Sequence, residues 1–240
     1  MMQTVGHHRA VPSKIESSSF PWAAAGGLVV ALISLSGLAW HGHVSALDRT
    51  LTADMVQQPN TTLFHLTDVF SQLGSGPVVG LLSFVIAAVL WRRSGDFFRP
   101  LIIIAAGALG GVAKVVGKSI VGRLRPPTMS FTGESGLGFP SGHTTGFAAM
   151  MVAIAITIPM VTNLAASNRN RLRIITAFLA LMIAVSRVAV GAHYVFDVLA
   201  GLALGALCAL AARYIVVRFT PLASSLLGRF LPKLSRRIAP

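Results

Sequence analysis

The stretch YVFDVLAGLALGALCALAARYIVV, residues 194–217, decides the fold because it is long, apolar and nearly free of charge. Asp197 and Arg213 are its only charged side chains. A helix rises about 1.5 Å per residue, so this segment is long enough to cross the roughly 30 Å hydrocarbon core of a bilayer. We therefore predict a transmembrane helix with one carboxylate near its start, a position at which a charge usually marks function.

Five further apolar runs of similar length precede this segment. They occupy residues 20–40, 73–91, 100–121, 142–161 and 172–190. Residues 41–72 are mixed in polarity, and their apolar side chains recur at near-helical spacing until Pro59 and Asn60 interrupt them. This pattern predicts two short amphipathic helices at the outer membrane surface. The predicted fold is therefore all-α, a polytopic membrane protein with six transmembrane helices and short amphipathic surface helices.

The domain organisation follows from the same hydropathy pattern. We expect residues 1–19 to form a mobile cytosolic tail, residues 20–217 the six-span domain, and residues 218–240 a basic cytosolic tail. The run at 20–40 is longer than the apolar core of a secretion signal, so a retained anchor is favoured over a cleaved signal peptide.

The distribution of charged residues predicts the orientation of the chain in the membrane and argues against a nucleic-acid partner. The chain is 54% hydrophobic, 11% charged and carries a net charge of +13, whereas soluble domains are about 25% charged. The basic residues punctuate apolar runs instead of clustering on a soluble element, which argues against nucleic-acid binding. With the N-terminus inside, most Lys and Arg residues fall in cytosolic segments, so we predict an inner (plasma) membrane protein with both termini cytoplasmic.

Three clusters of polar residues lie at the ends of the predicted spans. They are KSIVGRLRP (118–126), PSGH (140–143) and SRVAVGAHYVFD (186–197), and the predicted topology brings all three to the periplasmic or extracellular face. Lys118 and Arg125 lie seven residues apart, about two helical turns, so we expect both to point the same way until Pro126 stops the helix. With Arg187 they supply fixed cations, and an Arg fork matches phosphate oxygens.

The second and third clusters add groups suited to proton and phosphoryl transfer. Ser141 is a plausible N-cap, Gly142 allows a substrate to approach the backbone, and His143 in the first helical turn is placed to protonate a leaving oxygen. Asp197 lies four residues after His193, one turn along the same helix face. A carboxylate bonded to one imidazole nitrogen fixes the tautomer and leaves the other nitrogen free to attack.

The full pattern, Lys118-x6-Arg125-Pro126, then Pro140-Ser141-Gly142-His143, then Ser186-Arg187-x5-His193-x3-Asp197, resembles the type-2 phosphatidic acid phosphatase superfamily. That family shares its site with vanadium haloperoxidases and bacterial non-specific acid phosphatases. The motifs cover residues 118–197, and residues 1–99 carry no signature. The resemblance implies that His193 is the nucleophile forming a phosphohistidine, that Asp197 orients it and that His143 is the general acid. It also implies the phosphate-binding residues Lys118, Arg125, Ser141, Gly142 and Arg187.

The resemblance further implies an enzyme that needs no metal and no cofactor, and the chain has few carboxylates near the motifs. His41 and His43 would offer at most a weak metal site. The leading hypothesis is an integral-membrane phosphatase acting on a bilayer lipid, with polyprenyl diphosphate ranked before phosphatidylglycerophosphate and phosphatidic acid. The alternatives are a lipid phosphotransferase, a haloperoxidase, and a lipid carrier or flippase that only binds.

Several residues near the motifs have competing interpretations. Arg123 is best explained as a basic side chain snorkelling to the membrane interface, whereas Lys114 is undecided between that role and a water-filled interior. Glu134 is interpreted as a solvated loop charge, with a role in specificity or pKa tuning as the alternative. The Gly-rich loop 128–139 is a candidate lid. Cys208 is expected to be a small buried apolar residue.

Overall fold

The computed structural model of the chain describes residues 21–39 and 44–230. These residues form α-helices, two short 3-10 helices at Gln72–Gly74 and Pro127–Phe131, and no β-strand. The α-helices are α1 (Trp22–Ala39), α2 (Ala46–Met55), α3 (Thr62–Ser71), α4 (Gly76–Ser94), α5 (Leu101–Val121), α6 (Gly142–Val161), α7 (Ala166–Ala189) and α8 (Val195–Phe230). The predicted tail at 1–19 and both His41 and His43 lie outside the described residues.

Five of the described helices are long and apolar enough to cross a membrane. They are α4, α5, α6, α7 and the Val195–Leu226 part of α8. The apolar part of α1 in the described residues is Ala24–Ile33, which is too short to count as a sixth candidate span. The protein is therefore an all-helical integral membrane protein with five candidate spans, and the sixth span stays a prediction.

Two helices extend further than the hydropathy pattern predicts. α7 begins at Ala166, six residues before the expected start at 172, and α8 continues through Pro221 to Phe230 instead of ending at 217. Hydropathy marks where a chain crosses the bilayer, whereas a helix continues wherever backbone hydrogen bonds are locally satisfied. The polar first turns of α7 are therefore helical although their sequence is not apolar. The apolar part of α8 continues to Leu226, past Arg218, where the basic tail is predicted to begin.

The segment between α1 and α4 forms the two short helices that the sequence predicts. Ser45 caps α2 by accepting a hydrogen bond from the Asp48 N–H at 3.1 Å, and Thr61 caps α3 by accepting one from the Phe64 N–H at 3.1 Å. Asn60 adopts a left-handed conformation between the two helices, at φ 68°. The described helices α2 and α3 thus have well-defined starts, while their placement on a bilayer surface stays a prediction.

Helix α6 lies at the centre of the bundle and contacts α4, α5, α7 and α8. Its crossing with α8 is close because Gly205 has no side chain: a Cβ there would lie 2.6 Å from the Thr145 carbonyl oxygen and 2.8 Å from the Ala148 Cβ. Gly201, one turn earlier, would place a Cβ 3.0 Å from the Ser141 carbonyl oxygen. This crossing holds the PSGH motif against the first turns of α8.

We expect Gly205→Ala to destabilise the protein by about 1–3 kcal/mol, because the added methyl group meets backbone atoms of α6 that cannot move independently. The measurement is thermal unfolding in detergent. Gly80→Ala in α4 is the matched control, since a Cβ at Gly80 has no neighbour within 4 Å among the described residues. Equal unfolding midpoints for both variants would contradict a tight α6–α8 crossing.

Candidate active site

The three sequence motifs meet at one end of the helix bundle. The end of α5, the start of α6, and the turn between α7 and α8 are brought together there, as the Ser141 N–H shows by donating to the Asp197 carbonyl oxygen at 3.0 Å. Arg99 at the start of α5 instead donates to the Met160 carbonyl oxygen at the end of α6. The opposite end of the bundle therefore carries Arg99 and the arginines that begin α7, and the motif residues are segregated from them.

Lys118 and Arg125 both reach this end, but not by the helical geometry that the sequence predicts. α5 ends at Val121, and Gly122 turns the chain with φ 67°, so Arg125 lies beyond the helix. The expectation that one helix face carries both side chains is therefore wrong. Lys118 Nζ donates to the Leu137 carbonyl oxygen, and the loop carrying Arg125 is held by the Gly138 N–H, which donates to the Arg123 carbonyl oxygen at 2.7 Å.

His193 lies in the turn before α8, and its two ring nitrogens have different partners. Nδ1 is 3.3 Å from Asp197 Oδ2, and Nε2 is 3.0 Å from Nη1 of Arg125. A guanidinium can only donate, so Nε2 must be the acceptor and Nδ1 must carry the proton that Asp197 accepts. This arrangement fixes the tautomer and directs the Nε2 lone pair to the cationic side of the site, where it accepts from Arg125.

The imidazole of His193 is held in its neutral form. The side chain is fully buried, and this burial, together with the positive charges of Arg125 and Arg187, lowers the pKa of His193 well below its usual value. The turn that carries it is fixed by Gly191, whose φ of 73° suits glycine, and by Thr128 Oγ1, which donates to the Gly191 carbonyl oxygen at 2.8 Å. A neutral, oriented imidazole is a competent nucleophile.

Arg187 and Arg125 are joined by the carboxylate of Glu134. Arg187 is fully buried; its Nη2 donates to Glu134 Oε1, and Nη1 donates to Ser71 Oγ at 2.8 Å. The other oxygen of Glu134 pairs with Arg125. Burial alone raises the pKa of Glu134, but the Arg187 and Arg125 guanidiniums outweigh it and hold that pKa below its usual value. The interpretation of Glu134 as a solvated loop charge is therefore wrong.

The PSGH motif occupies the start of α6. Ser141 is fully buried and stands at the N-cap position, but its Oγ accepts from Thr144 Oγ1 at 3.1 Å and caps no backbone N–H. A Cβ on Gly142 would lie 3.1 Å from Cδ of Lys114, which places Lys114 beside the motif. His143 is half-buried, and among the described residues its buried Nε2 has no hydrogen-bond partner. That nitrogen is available to a substrate.

Arg123 is completely buried, so its interpretation as a snorkelling interfacial residue is wrong. Its Nη1 donates to Asp197 Oδ1 at 3.0 Å, its Nη2 pairs with Asp48, and its guanidinium lies 4.4 Å from the ring centroid of Tyr194. Asp48 in α2 and Ser71 in α3 therefore touch residues of the site, although the first 99 residues carry no motif. Sequence reasoning missed Asp48 because the sequence of α2 does not distinguish this buried carboxylate from Asp54, which is exposed.

No group of three or more His, Cys, Asp or Glu side chains comes together in the described ranges 21–39 and 44–230. Independence from metal stays a prediction that a chelator experiment can test. Cys208 is buried, as expected of a small apolar residue.

Comparison with known proteins identifies the family of the chain. Residues 99–221 match the model of the PAP2 superfamily, and the chain belongs to that family. It is 30% identical over 157 residues to phosphatidylglycerophosphatase B of Bacillus subtilis strain 168, which covers 65% of this chain and 75% of that protein. It is 34% identical over 128 residues to the lipid A 1-phosphatase of Rhizobium johnstonii, which covers 49% of this chain and 45% of that protein.

Solved structures give the same fold. The crystal structure of a transmembrane PAP2-type phosphatidylglycerolphosphate phosphatase from Bacillus subtilis superposes with a TM-score of 0.71 at 23% identity, covering 82% of this chain and 96% of that one. Aquifex aeolicus LpxE superposes with a TM-score of 0.53 at 20% identity, covering 70% and 95%. The family and its curated relatives support a lipid phosphatase embedded in a membrane.

Proposed function

We propose that this protein hydrolyses a lipid phosphate or diphosphate at the outer face of the membrane through a phosphohistidine on His193. The observation that carries the proposal is the geometry of that residue. Asp197 accepts from Nδ1, and the unprotonated Nε2 faces Arg125, beside the buried Arg187. A nucleophile of fixed tautomer within a cationic pocket is suited to attack a phosphoryl group.

In the first step, the phosphate displaces the Glu134 carboxylate from Arg125 and Arg187, and Lys118 adds a third positive charge. The Arg125 guanidinium then turns from Nε2 of His193 to a phosphate oxygen, which frees the Nε2 lone pair. The PSGH backbone, through Ser141 and Gly142 at the start of α6, contributes N–H donors to the phosphate oxygens. His193 Nε2 attacks phosphorus, and the bond from phosphorus to the leaving oxygen breaks. His143, which enters this step as the protonated imidazolium, gives the leaving oxygen a proton and becomes neutral.

In the second step, water attacks the phosphorus of the phosphohistidine, and the bond from phosphorus to Nε2 breaks. The neutral His143 takes a proton from this water as it attacks. Inorganic phosphate leaves, and the enzyme returns to its starting protonation state. Asp197 remains ionised throughout and stabilises the positive charge that the ring of His193 carries while phosphorylated. A phosphotransferase would follow the same first step and use an alcohol instead of water.

An apolar cavity beside the site supports a lipid substrate. The cavity has a volume of about 490 Å³ and lies among side chains of α1, α5 and α8. Phe139 and Pro140, which directly precede Ser141, line it, so an apolar tail in the cavity would end beside the phosphate site. Such a lining is suited to an acyl or prenyl chain.

The arginines at the opposite end of the bundle support an outward-facing site. Cytoplasmic ends of membrane helices are enriched in Lys and Arg, and here α4 ends with Arg92 and Arg93 while α7 begins with Arg169, Arg171 and Arg173. We propose that the chain has six spans in the inner (plasma) membrane and that both termini lie in the cytoplasm. In this topology the motif end faces the periplasm or the exterior.

Two substrate classes lead. Polyprenyl diphosphate suits an outward-facing site because the carrier lipid of cell-wall synthesis is released on that side. Phosphatidylglycerophosphate is the second candidate, since a relative at 30% identity is named phosphatidylglycerophosphatase B. Phosphatidic acid and phosphotransfer to an alcohol are further outcomes of the same test.

The test is a panel of these lipid phosphates assayed side by side with purified protein in detergent, with and without a chelator and with and without an acceptor alcohol. We expect phosphate release from at least one lipid, unchanged by chelation. Phosphorylated acceptor in place of free phosphate would indicate a phosphotransferase. Binding or vesicle transport of lipid without phosphate release would contradict the proposal and favour a carrier.

We predict that Glu134→Gln increases the affinity for phosphate analogues about 3- to 10-fold. In the wild type the Glu134 carboxylate pairs with the guanidiniums of Arg125 and Arg187, so phosphate binds only those molecules in which this carboxylate has moved away. The inhibition constants of vanadate and inorganic phosphate are the measurements. Asp54→Asn, an exposed acid in α2, is the control and should change neither constant. Weaker inhibition of Glu134→Gln would show that the carboxylate assists phosphate binding.

A further inference from the structure

Arg123 connects a helix outside the motifs to the carboxylate that orients His193. Its two terminal nitrogens reach different carboxylates, Nη1 to Asp197 Oδ1 at 3.0 Å and Nη2 to Asp48, and all three side chains are buried. Tyr194 covers the guanidinium with its ring. The guanidinium therefore has little freedom to rotate, and its orientation sets where Oδ1 of Asp197 lies.

Each oxygen of Asp197 has its own partners. Oδ1 accepts from Arg123, while Oδ2 accepts from the Tyr194 N–H at 3.0 Å and faces Nδ1 of His193 at 3.3 Å. A carboxylate held at both oxygens cannot rotate, so Oδ2 remains aligned with the imidazole. Loss of the Arg123 contact would free the carboxylate to turn and would leave it as a buried, poorly compensated charge.

Helix α2 is attached to the start of α8 by the same residue that holds Arg123. Asp48 Oδ1 accepts from the Phe196 N–H at 3.1 Å, and Thr52 Oγ1 accepts from the Val195 N–H at 3.2 Å. These bonds satisfy two of the backbone donors that a helix start leaves open. Asp48 thus fixes both Arg123 and the backbone of the turn that carries the nucleophile.

We propose that Asp48 and Arg123 are positioning residues for phosphoryl transfer, acting through Asp197 on the orientation of His193 without touching the substrate. The proposal rests on the proposed roles of His193 and Asp197. It assigns a functional contribution to α2, which lies in the part of the chain that carries no motif.

A positioning role makes a kinetic prediction that a purely structural role does not. Asp48→Asn keeps the side-chain shape and one acceptor oxygen but removes the charge that pairs with Arg123. We expect kcat for lipid phosphate to fall about 10- to 100-fold, as is usual when the partner of an oriented group is removed, while KM changes less than about 3-fold. The inhibition constant of vanadate should also stay unchanged.

A double-mutant cycle tests whether Asp48 acts through Arg123. In the Arg123→Gln background, Asp48→Asn should reduce kcat by less than about 2-fold, because the route from α2 to Asp197 is already broken. The matched control is Asp54→Asn on the same helix, whose exposed carboxylate should have no effect in either background. Thermal unfolding in detergent checks that each variant is folded.

Additive effects of Asp48→Asn and Arg123→Gln, or a raised KM with kcat retained, would overturn the proposal. Should Asp48→Asn fail to accumulate, Asp48→Glu displaces the carboxylate by one methylene and must lower kcat at constant KM. His193→Gln separates this proposal from the proposed function. An active His193→Gln enzyme refutes the phosphohistidine, whereas an inactive one with an additive cycle refutes only the role of Asp48 and Arg123.

Discussion

Replacing His193 by glutamine is expected to reduce phosphate release by at least about 10³-fold. Among the described histidines, His193 is the one whose Nδ1 is held by a carboxylate, so the lone pair lies on Nε2, which points to Arg125 in the cationic pocket. Glutamine keeps polar atoms near the same place but provides no lone pair that can form a stable bond to phosphorus. The Asp197–Arg123 pair remains, so the fold should be retained.

The measurement is phosphate release from a lipid phosphate together with trapping of a phosphoprotein that is labile to acid and stable to alkali. Wild-type protein should accumulate such a species in a rapid quench, and His193→Gln should not. His65→Gln is the matched control, because His65 is an exposed histidine of α3 outside the site. Activity above a tenth of wild type in His193→Gln would rule out the assignment of the nucleophile.

Replacing Arg187 by lysine is expected to lower kcat/KM by about 10²- to 10³-fold. The Arg187 guanidinium is fully buried and holds Ser71 with one nitrogen while presenting the other to the site, where Glu134 now lies. The planar guanidinium donates to two partners that lie in different directions, whereas the ammonium group of lysine is a point charge and cannot hold both. The phosphate would therefore lose a fixed donor where charge builds up in the transition state.

The control is Arg173→Lys, the same exchange in the same helix at an exposed position near the opposite end of the bundle. Steady-state kinetics should separate the two variants, and vanadate should inhibit Arg187→Lys more weakly than wild type. If Arg187→Lys stayed within about 3-fold of wild type, Arg187 would be a structural residue that pairs with Glu134 and Ser71 alone.

The sequence predicts the helical class, the positions of the apolar helices and the convergence of three motifs, because hydropathy and topology determine all of these. α6 begins and ends where its apolar run does. The start of α7 differs from its prediction because a polar helical turn has no hydropathy signal. The course of the chain from Lys118 to Arg125 differs because Gly122 ends α5 early, and glycine is too common in this chain to identify a helix end.

The electrostatic partners of the site are harder to predict than its motif residues. Arg123 and Glu134 looked like exposed charges because a single sequence shows neither burial nor distant partners. Asp48 lies 75 residues before Arg123, and only the folded chain brings them together. Long-range ion pairs of this kind have no periodicity and no local signature.

The length of α8 has a geometric consequence. Its apolar part, Val195–Leu226, has 32 residues and is therefore about 48 Å long. A rod of that length would have to lean by roughly 50° to fit within a 30 Å hydrocarbon layer, whereas membrane helices lean by about 0–40°. In the proposed topology, in which Asp197 lies at one rim of the hydrocarbon layer, the last turns of this apolar part would extend beyond the opposite rim. Even at the largest of those tilts about 26 helical residues cross the layer. The exposed apolar side chain of Leu226 would therefore lie at or beyond the opposite headgroups.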